Sequence, residues 1–114
     1  MGPSVERELV VDAGREQVWR AVADAARLGE WLGAEVDLDL RPGGAASFRF
    51  DDGEARRGVV VQVAPGRSLT FTWWPVDEHL GSQSTVTISL DALDEVRTRL
   101  RIRETPATRA RAAA

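Results

Sequence analysis

The side chains that could perform acid–base, nucleophilic or metal chemistry in this chain are few. His79 is the only histidine, and it stands in a polar stretch beside Asp77 and Glu78. Adjacent loop side chains point in different directions, whereas a zinc site requires converging ligands, so these three residues do not predict a metal site. Acid–base catalysis by histidine requires placement in a pocket, and we therefore expect an exposed loop histidine here.

Other patterns that resemble functional motifs are better explained as turns. Residues 51–53, Asp-Asp-Gly, have the composition of a hairpin turn rather than of a catalytic carboxylate pair. Residues 42–44, Pro-Gly-Gly, lead into a strand, so a phosphate cradle would lack the helix N-terminus that it requires. The serines have no histidine or nucleophile elbow near them in the sequence, which excludes a hydrolase triad. The sequence therefore predicts no catalytic residue, no metal site and no cofactor.

Composition excludes further classes of chemistry. The chain has no cysteine, lysine or tyrosine, so disulfides, thiolate ligands, Schiff bases and phenolic proton donors are absent. A formal net charge of −3 argues against general affinity for nucleic acid. With 114 residues, of which 43% are hydrophobic and 29% charged, we expect one globular domain over residues 1–114. No apolar run reaches bilayer length and the N-terminus does not resemble a secretory signal, so we expect no membrane contact and a cytoplasmic location.

The elements that would position a site follow from hydrophobic periodicity. Residues 15–32 carry an apolar stripe at helical spacing and are expected to break into two short helices near residues 24–26. A first strand is expected at residues 5–11 and a second at 35–40, and residues 45–103 then form one strand after another. The valine-rich residues 59–63 leave their inward parity open, with a bulge expected near Gly58.

The last strand shows a period of two most clearly. Residues 96–103 alternate apolar or threonine side chains with arginine, which places one set in the core and the other in water. The same alternation brings Glu6 and Glu8 to the solvent face of the first strand, so cross-strand ion pairs explain the arginines better than a nucleic-acid patch. The arginines predicted on that face are Arg97, Arg99, Arg101 and Arg103.

A set of residues spread over these elements resembles the signature of a known family. It comprises L-R-P-G-G at 40–44, F-T-W at 71–73, the segments 85–87 and 98–100, and Val18, Trp19, Asp24, Leu28, Trp31, Phe48, Gly58, Val60, Pro65 and Leu69. Together, over residues 5–105, they resemble the activator of heat shock protein 90 ATPase homologue family of the START-like, or SRPBCC, superfamily. A proline usual near the start of the first helix is replaced here by Gly14, which removes a favourable helix-start residue.

The resemblance implies an α+β fold of the helix-grip type, also found in birch-pollen allergens. This fold has a curved antiparallel sheet of about seven strands, two short N-terminal helices and a long C-terminal helix that closes the sheet. Here Thr105, Pro106 and Ala107 are expected to begin that last helix, which would end at Ala114. Eight residues span about 12 Å, so we expect a truncated C-terminal helix.

The resemblance also implies a cavity between sheet and helices that binds lipids, polyketides or other apolar molecules. Such pockets are mostly apolar, although an ordinary packed core would account for the same aromatic residues. Trp74 follows Trp73 on a strand and should point the opposite way, where it would mark an interaction surface. The predicted ligand-binding residues are Trp31, Phe48, Phe50, Phe71, Trp73, Val86, Ile88 and Leu100.

The sequence therefore favours a non-catalytic binding domain for a small hydrophobic molecule. Two alternatives follow from the resemblance. One is a polyketide-cyclase-like enzyme, which would need a buried acid–base group that the inward strand positions are not expected to offer. The other is a co-chaperone interaction with heat shock protein 90. Because a short tail would leave the apolar sheet face uncovered, we also expect a second copy of the chain to cover it in a two-fold homodimer.

Overall fold

Seven antiparallel strands form one sheet and two short helices pack against it in the computed structural model, which describes residues 4–77 and 83–106. The strand order is β1-β7-β6-β5-β4-β3-β2. The elements are β1 (Val5–Val11), α1 (Arg15–Val22), α2 (Ala25–Leu32), β2 (Ala34–Leu38), β3 (Ala45–Phe50), β4 (Ala55–Ala64), β5 (Ser68–Pro75), β6 (Ser84–Asp94) and β7 (Arg97–Pro106). The predicted α+β helix-grip fold is confirmed. Thr105 and Pro106, predicted to begin the C-terminal helix, belong instead to β7, where they pair with β6. The rest of that predicted helix and His79 lie outside the described residues.

The helical segment breaks where the sequence predicts, and one aspartate explains the break. Asp24 is the N-cap of α2, and its Oδ1 accepts hydrogen bonds from the backbone N–H groups of Ala26 at 2.9 Å and Arg27 at 3.2 Å. Within α2, a Cβ at Gly29 would collide with the carbonyl oxygen of Ala34, so glycine lets the helix approach β2 closely. These two residues fix where α2 lies on the sheet.

The core lies between the helices and the inner face of the curved sheet. Phe48 and Phe71 stack with ring centroids 5.3 Å apart, and Trp73 meets them edge-on at 5.0 and 5.4 Å. Such offset and edge-to-face aromatic contacts add to the free energy of apolar burial. Gly58 lies opposite Trp73 in the β4–β5 register, and a Cβ there would lie 3.3 Å from the Trp73 Cβ. The aromatic cluster is therefore packed tightly against the backbone of β4.

The outer face of β1 and β7 carries the predicted ladder of ion pairs. Arg103 contacts Glu6 at 2.8 Å, and Glu8 is approached by Arg101 at 3.2 Å and by Arg99 at 3.9 Å. This confirms the face and the register of β7. All of these side chains are at least one-third exposed, so each pair contributes about 0–1 kcal/mol to stability.

The start of β7 differs from the expected alternation. Val96 is 66% exposed and lies in a turn instead of the strand, because Asp94 Oδ1 accepts the Val96 N–H at 2.9 Å. The other carboxylate oxygen of Asp94 accepts from the Arg97 Nε at 2.9 Å, so Arg97 pairs with Asp94 rather than with β1. The Val96 N–H and the Arg97 guanidinium together lower the pKa of Asp94 below its ordinary value.

The parity of β4, which the sequence leaves open, is settled by a register shift between Val60 and Gln62. Val60 is 1% exposed and points inward, whereas Val61 is 51% exposed. The sequence predicts a bulge near Gly58. In the structure the bulge lies two to four residues further along β4. The strand also begins earlier than its valines indicate, at Ala55, which adds an inward-facing arginine to the sheet.

Candidate functional site

A groove runs along the inner face of the sheet between α2 and the strands β1 and β7. Its larger chamber has a volume of about 470 Å³, and its lining residues are Arg7, Leu9, Val10, Val11, Trp31, Leu100 and Ile102. A smaller chamber of about 230 Å³ shares three of these residues and continues along the groove. Its lining residues are Val5, Arg7, Trp31, Leu32, Trp73, Val86, Ile102 and Glu104.

The two walls of this groove are apolar and uncovered by the described part of the chain. On the strand side, Val5 is 53% and Leu9 is 52% exposed, although both alternate to the same face as Leu100 in the β1–β7 register. On the helix side, Trp31 is 43% exposed. Large apolar side chains that face each other across an open groove are typical of surfaces that bind an apolar partner or ligand.

The eight predicted ligand-binding residues divide into three groups. Four of them line the chambers, namely Trp31, Trp73, Val86 and Leu100. Two others, Phe71 and Ile88, are 0% and 1% exposed and belong to the packed core beneath the groove.

The remaining two predicted residues lie nearer the β2–β4 side of the sheet. Phe50 is partly buried, with its ring centroid 6.3 Å from that of Trp73. Phe48 is 2% exposed and belongs to the packed core, like Phe71. Ligand contact by the eight predicted residues stays a prediction.

One end of the groove holds a polar cluster formed by Arg56, Trp73 and Glu104. The Trp73 Nε1–H donates a hydrogen bond of 2.9 Å to the Glu104 Oε2. The Arg56 guanidinium carbon lies 4.5 Å from the centroid of the Trp73 ring, and its Nη1 lies 3.8 Å from the same Glu104 oxygen. The Nε of Arg56 is buried and makes no hydrogen bond to any described residue. The cluster therefore places a carboxylate and a guanidinium at the end of a mostly apolar chamber whose other charged lining residue is Arg7.

The sequence patterns do not predict this cluster. Glu104 is a carboxylate at an inward strand position, where no buried acid–base group is expected, and its side chain is 32% exposed. The signal was present, because the outward arginines of β7 place every second residue inward and Glu104 continues that set after Leu100 and Ile102. Arg56 was missed for a different reason. It precedes the run of valines that predicts β4, although the strand begins at Ala55.

Trp74 points away from the groove, as the alternation with Trp73 predicts. Its register partner on β4 is Arg57, and its indole is partly buried rather than fully exposed. The role of Trp74 in an interaction surface stays a prediction.

A wide depression of about 810 Å³ lies at the start of α1, against the turns at residues 65–66 and 92–95. Four of its nine lining residues are charged, namely Arg15, Glu16, Asp94 and Glu95, whereas one of the seven residues that line the larger chamber of the groove, Arg7, is charged. The groove is therefore the better candidate for an apolar ligand.

No cluster of three or more histidine, cysteine, aspartate or glutamate side chains that could hold a metal ion occurs in residues 4–77 and 83–106. Neither helix of that same part of the chain is long and apolar enough to cross a membrane. The chemistry that the described residues can offer at the groove is apolar contact, one carboxylate and two guanidinium groups.

Comparison with known proteins gives one family match. Residues 12–114 match the family model described as Activator of Hsp90 ATPase homolog 1-like protein. No curated protein sequence matches the chain significantly.

Several solved structures have the same fold. DynU16, a protein of the dynemicin biosynthetic locus, is 26% identical with a TM-score of 0.80, and the match covers 96% of this chain but only 39% of DynU16. Protein CV1439 from Chromobacterium violaceum is 28% identical with a TM-score of 0.75, and the match covers 94% and 81% of the two chains. An HSP90 activator from Plasmodium falciparum is 23% identical with a TM-score of 0.77 over 94% and 75%, which shows likeness of fold alone.

Proposed function

This chain belongs to the activator of Hsp90 ATPase homologue 1-like family, and we propose that it is a non-catalytic binding protein for a small hydrophobic molecule. The ligand is a lipid, a polyketide or an aromatic compound, and it lies in the groove between α2 and the β1–β7 edge. The observation that carries the proposal is the pair of facing apolar walls, Leu9 on β1 and Trp31 on α2, which remain half exposed above a closely packed core.

The size and lining of the groove support a ligand of this kind. Its larger chamber, at about 470 Å³, falls within the range of about 300–1,000 Å³ that is usual for small-molecule sites. Most of its lining is apolar, and burial of that surface by a ligand contributes about 25 cal/mol per Å². The place of the similar protein DynU16 in a biosynthetic locus also agrees with a natural-product ligand.

The test is a titration of the full chain with decanoic acid, followed by tryptophan emission. We expect a saturable change, and Trp31→Phe should remove most of it because Trp31 lines both chambers. Leu9→Asp should weaken binding at least about ten-fold by placing a charge on the apolar wall. Val96→Asp is the matched control, since Val96 is 66% exposed in a turn outside the groove.

Binding that is equally weakened by both aspartate variants would contradict the groove as the site. The absence of any saturable change, with decanoic acid and with naphthalene-type compounds alike, would contradict the function.

The polyketide-cyclase-like alternative has less support from this geometry. Glu104 is one inward carboxylate, but its neighbours are the Arg56 guanidinium and the Trp73 indole N–H. Neither of these groups exchanges a proton near neutral pH, so no partner for general acid–base work accompanies Glu104 in the described residues. A second acid–base group would be needed for this reaction class.

Two further partners are proposed. One is a second copy of the chain, which would occupy the groove, and the other is heat shock protein 90. In the predicted homodimer a second copy would cover the groove, and sedimentation across a range of protein concentrations, with and without decanoic acid, distinguishes it from ligand binding. If decanoic acid does not dissociate the dimer, the second copy and not a small molecule occupies the groove.

Contact with heat shock protein 90 rests on the family and on the name of one structural neighbour, and a pull-down with the purified chaperone tests it. The cytoplasmic location stays a prediction from the sequence.

A further inference from the structure

The polar cluster at the end of the groove points to a more specific ligand. We infer that the ligand carries a neutral hydroxyl group, as an alcohol or a phenol, which donates a hydrogen bond to the Glu104 carboxylate while its apolar body lies along Trp31. The inference rests on the proposed function and names the chemical class that the same groove takes.

Glu104 has an oxygen available for such a bond. Its Oε2 accepts the Trp73 Nε1–H at 2.9 Å and lies 3.8 Å from the Arg56 Nη1, whereas its Oε1 accepts no hydrogen bond from residues 4–77 or 83–106. The side chain lines the smaller chamber and is 32% exposed. One carboxylate oxygen is thus held in place, and the other is open to a donor.

The neighbours of Glu104 keep it in position without competing for a ligand. The Arg56 guanidinium is stacked on the Trp73 ring at 4.5 Å, and its Nη2 lies 3.5 Å from Glu54. Its charge is therefore balanced by carboxylates on two sides. The Trp73 indole N–H already donates its hydrogen bond to Glu104, and Trp73 itself is 8% exposed. The carboxylate is consequently a preorganised hydrogen-bond acceptor.

The remaining charge in the chamber makes a hydroxyl a better match than an ion. Arg7 lines both chambers and has no carboxylate within 4.0 Å in the described part of the chain. A hydroxyl can donate to Glu104 and accept from a guanidinium, because it has both a donor and lone pairs. A ligand carboxylate would be attracted by Arg7 and repelled by Glu104. A ligand ammonium group would be repelled by Arg7 and attracted by Glu104. The neutral group meets no repulsion from either side.

The experiment compares three compounds of the same shape, naphthalene, 1-naphthol and 1-naphthoic acid, by equilibrium dialysis against the unmodified full chain. We expect 1-naphthol to bind about ten-fold tighter than naphthalene. This is the gain in affinity usual for a hydrogen bond to a charged group, reduced because Glu104 is partly exposed. It should also bind more tightly than 1-naphthoate. This comparison needs no substitution and so does not depend on the folding of a variant.

Two variants then assign the preference to one residue. Glu104→Met keeps the length of the side chain and removes the acceptor, so the preference for 1-naphthol over naphthalene should fall to about two-fold or less. Glu8→Gln is the matched control, because Glu8 lies on the outer face and pairs with Arg101. It should leave the preference unchanged. The ratio of the two affinities within each variant is the readout, since general loosening of the fold would weaken both compounds alike.

The outcomes that overturn the inference differ from those that overturn the proposed function. Equal binding of naphthalene and 1-naphthol, or a phenol preference that survives Glu104→Met, would overturn the hydroxyl site and leave the apolar groove standing. Tightest binding of 1-naphthoate, lost in Arg7→Met, would replace it with an anion site. If none of the three compounds binds and decanoic acid also fails, the proposed function and this inference fall together.

Discussion

Replacing Arg56 by methionine should change the free energy of unfolding by no more than about 1 kcal/mol, although its guanidinium contacts three other side chains. The favourable contacts are weak. A guanidinium 4.5 Å from the Trp73 centroid contributes about 0.5–2 kcal/mol, because the Arg56 side chain is 24% and Trp73 8% exposed. The ion pairs to Glu54 at 3.5 Å and Glu104 at 3.8 Å are long and partly exposed, and each contributes about 0–1 kcal/mol.

One unfavourable contribution offsets these contacts. The Nε–H of Arg56 is buried without a hydrogen-bond partner in the described residues, which costs about 1–3 kcal/mol. Methionine has no such donor and keeps the apolar stem that packs beside Trp73. The midpoints of the gains and of the cost therefore cancel to within about 1 kcal/mol.

Urea unfolding at 25 °C, followed by tryptophan emission, measures this difference. Arg49→Met is the matched control, because the Arg49 side chain is 75% exposed and forms one surface ion pair with Glu35 at 3.3 Å. A loss of more than about 2 kcal/mol in Arg56→Met beyond that control would refute the reasoning. The cluster would then be a structural element, and the case for its role in ligand recognition would weaken with it.

Three further predictions test the sheet itself. Leu100→Ala should cost about 2–5 kcal/mol because Leu100 is 1% exposed, whereas calorimetry of Arg99→Ala should show a nearly unchanged melting temperature. Gly58→Ala should cost about 1–3 kcal/mol in urea unfolding, since the new Cβ would press on β5; equal stability would disprove that tight contact. Asp94→Asn should lower the urea midpoint at neutral pH. Because the folded-state pKa of Asp94 is lowered, this stabilisation is full above the ordinary pKa and disappears as the pH falls through the lowered one; a deficit independent of pH would contradict it.

Several features of this protein follow from the sequence alone. Alternation in β7 was sufficient to place Arg99, Arg101 and Arg103 on the outer face, because the side-chain period of a strand is two and only one face is buried. The break between the helices was predictable for a similar reason. Asp24 satisfies the free N–H groups of the helix that follows it, which is a local interaction of a few residues. The resemblance to a known family also predicted the order of the helices and strands and the curved antiparallel sheet.

The division of the apolar residues into core and groove required the tertiary structure. Phe71 and Trp31 are both aromatic and both were predicted to bind a ligand, yet Phe71 is fully buried and Trp31 is 43% exposed. Periodicity identifies the face of an element that turns inward, but it does not say what lies opposite that face. The depth of a residue depends on how the helices cross the sheet.

The meeting of Arg56 with Glu104 was decided by the fold alone. The two residues come from β4 and β7, which are separated in the sheet by β5 and β6, and they approach to 3.8 Å over the ring of Trp73. The alternation along each strand determines that both side chains point inward. Only the curvature of the whole sheet brings strands that do not pair close enough for long side chains to meet, and that curvature is the sum of small twists contributed by every strand.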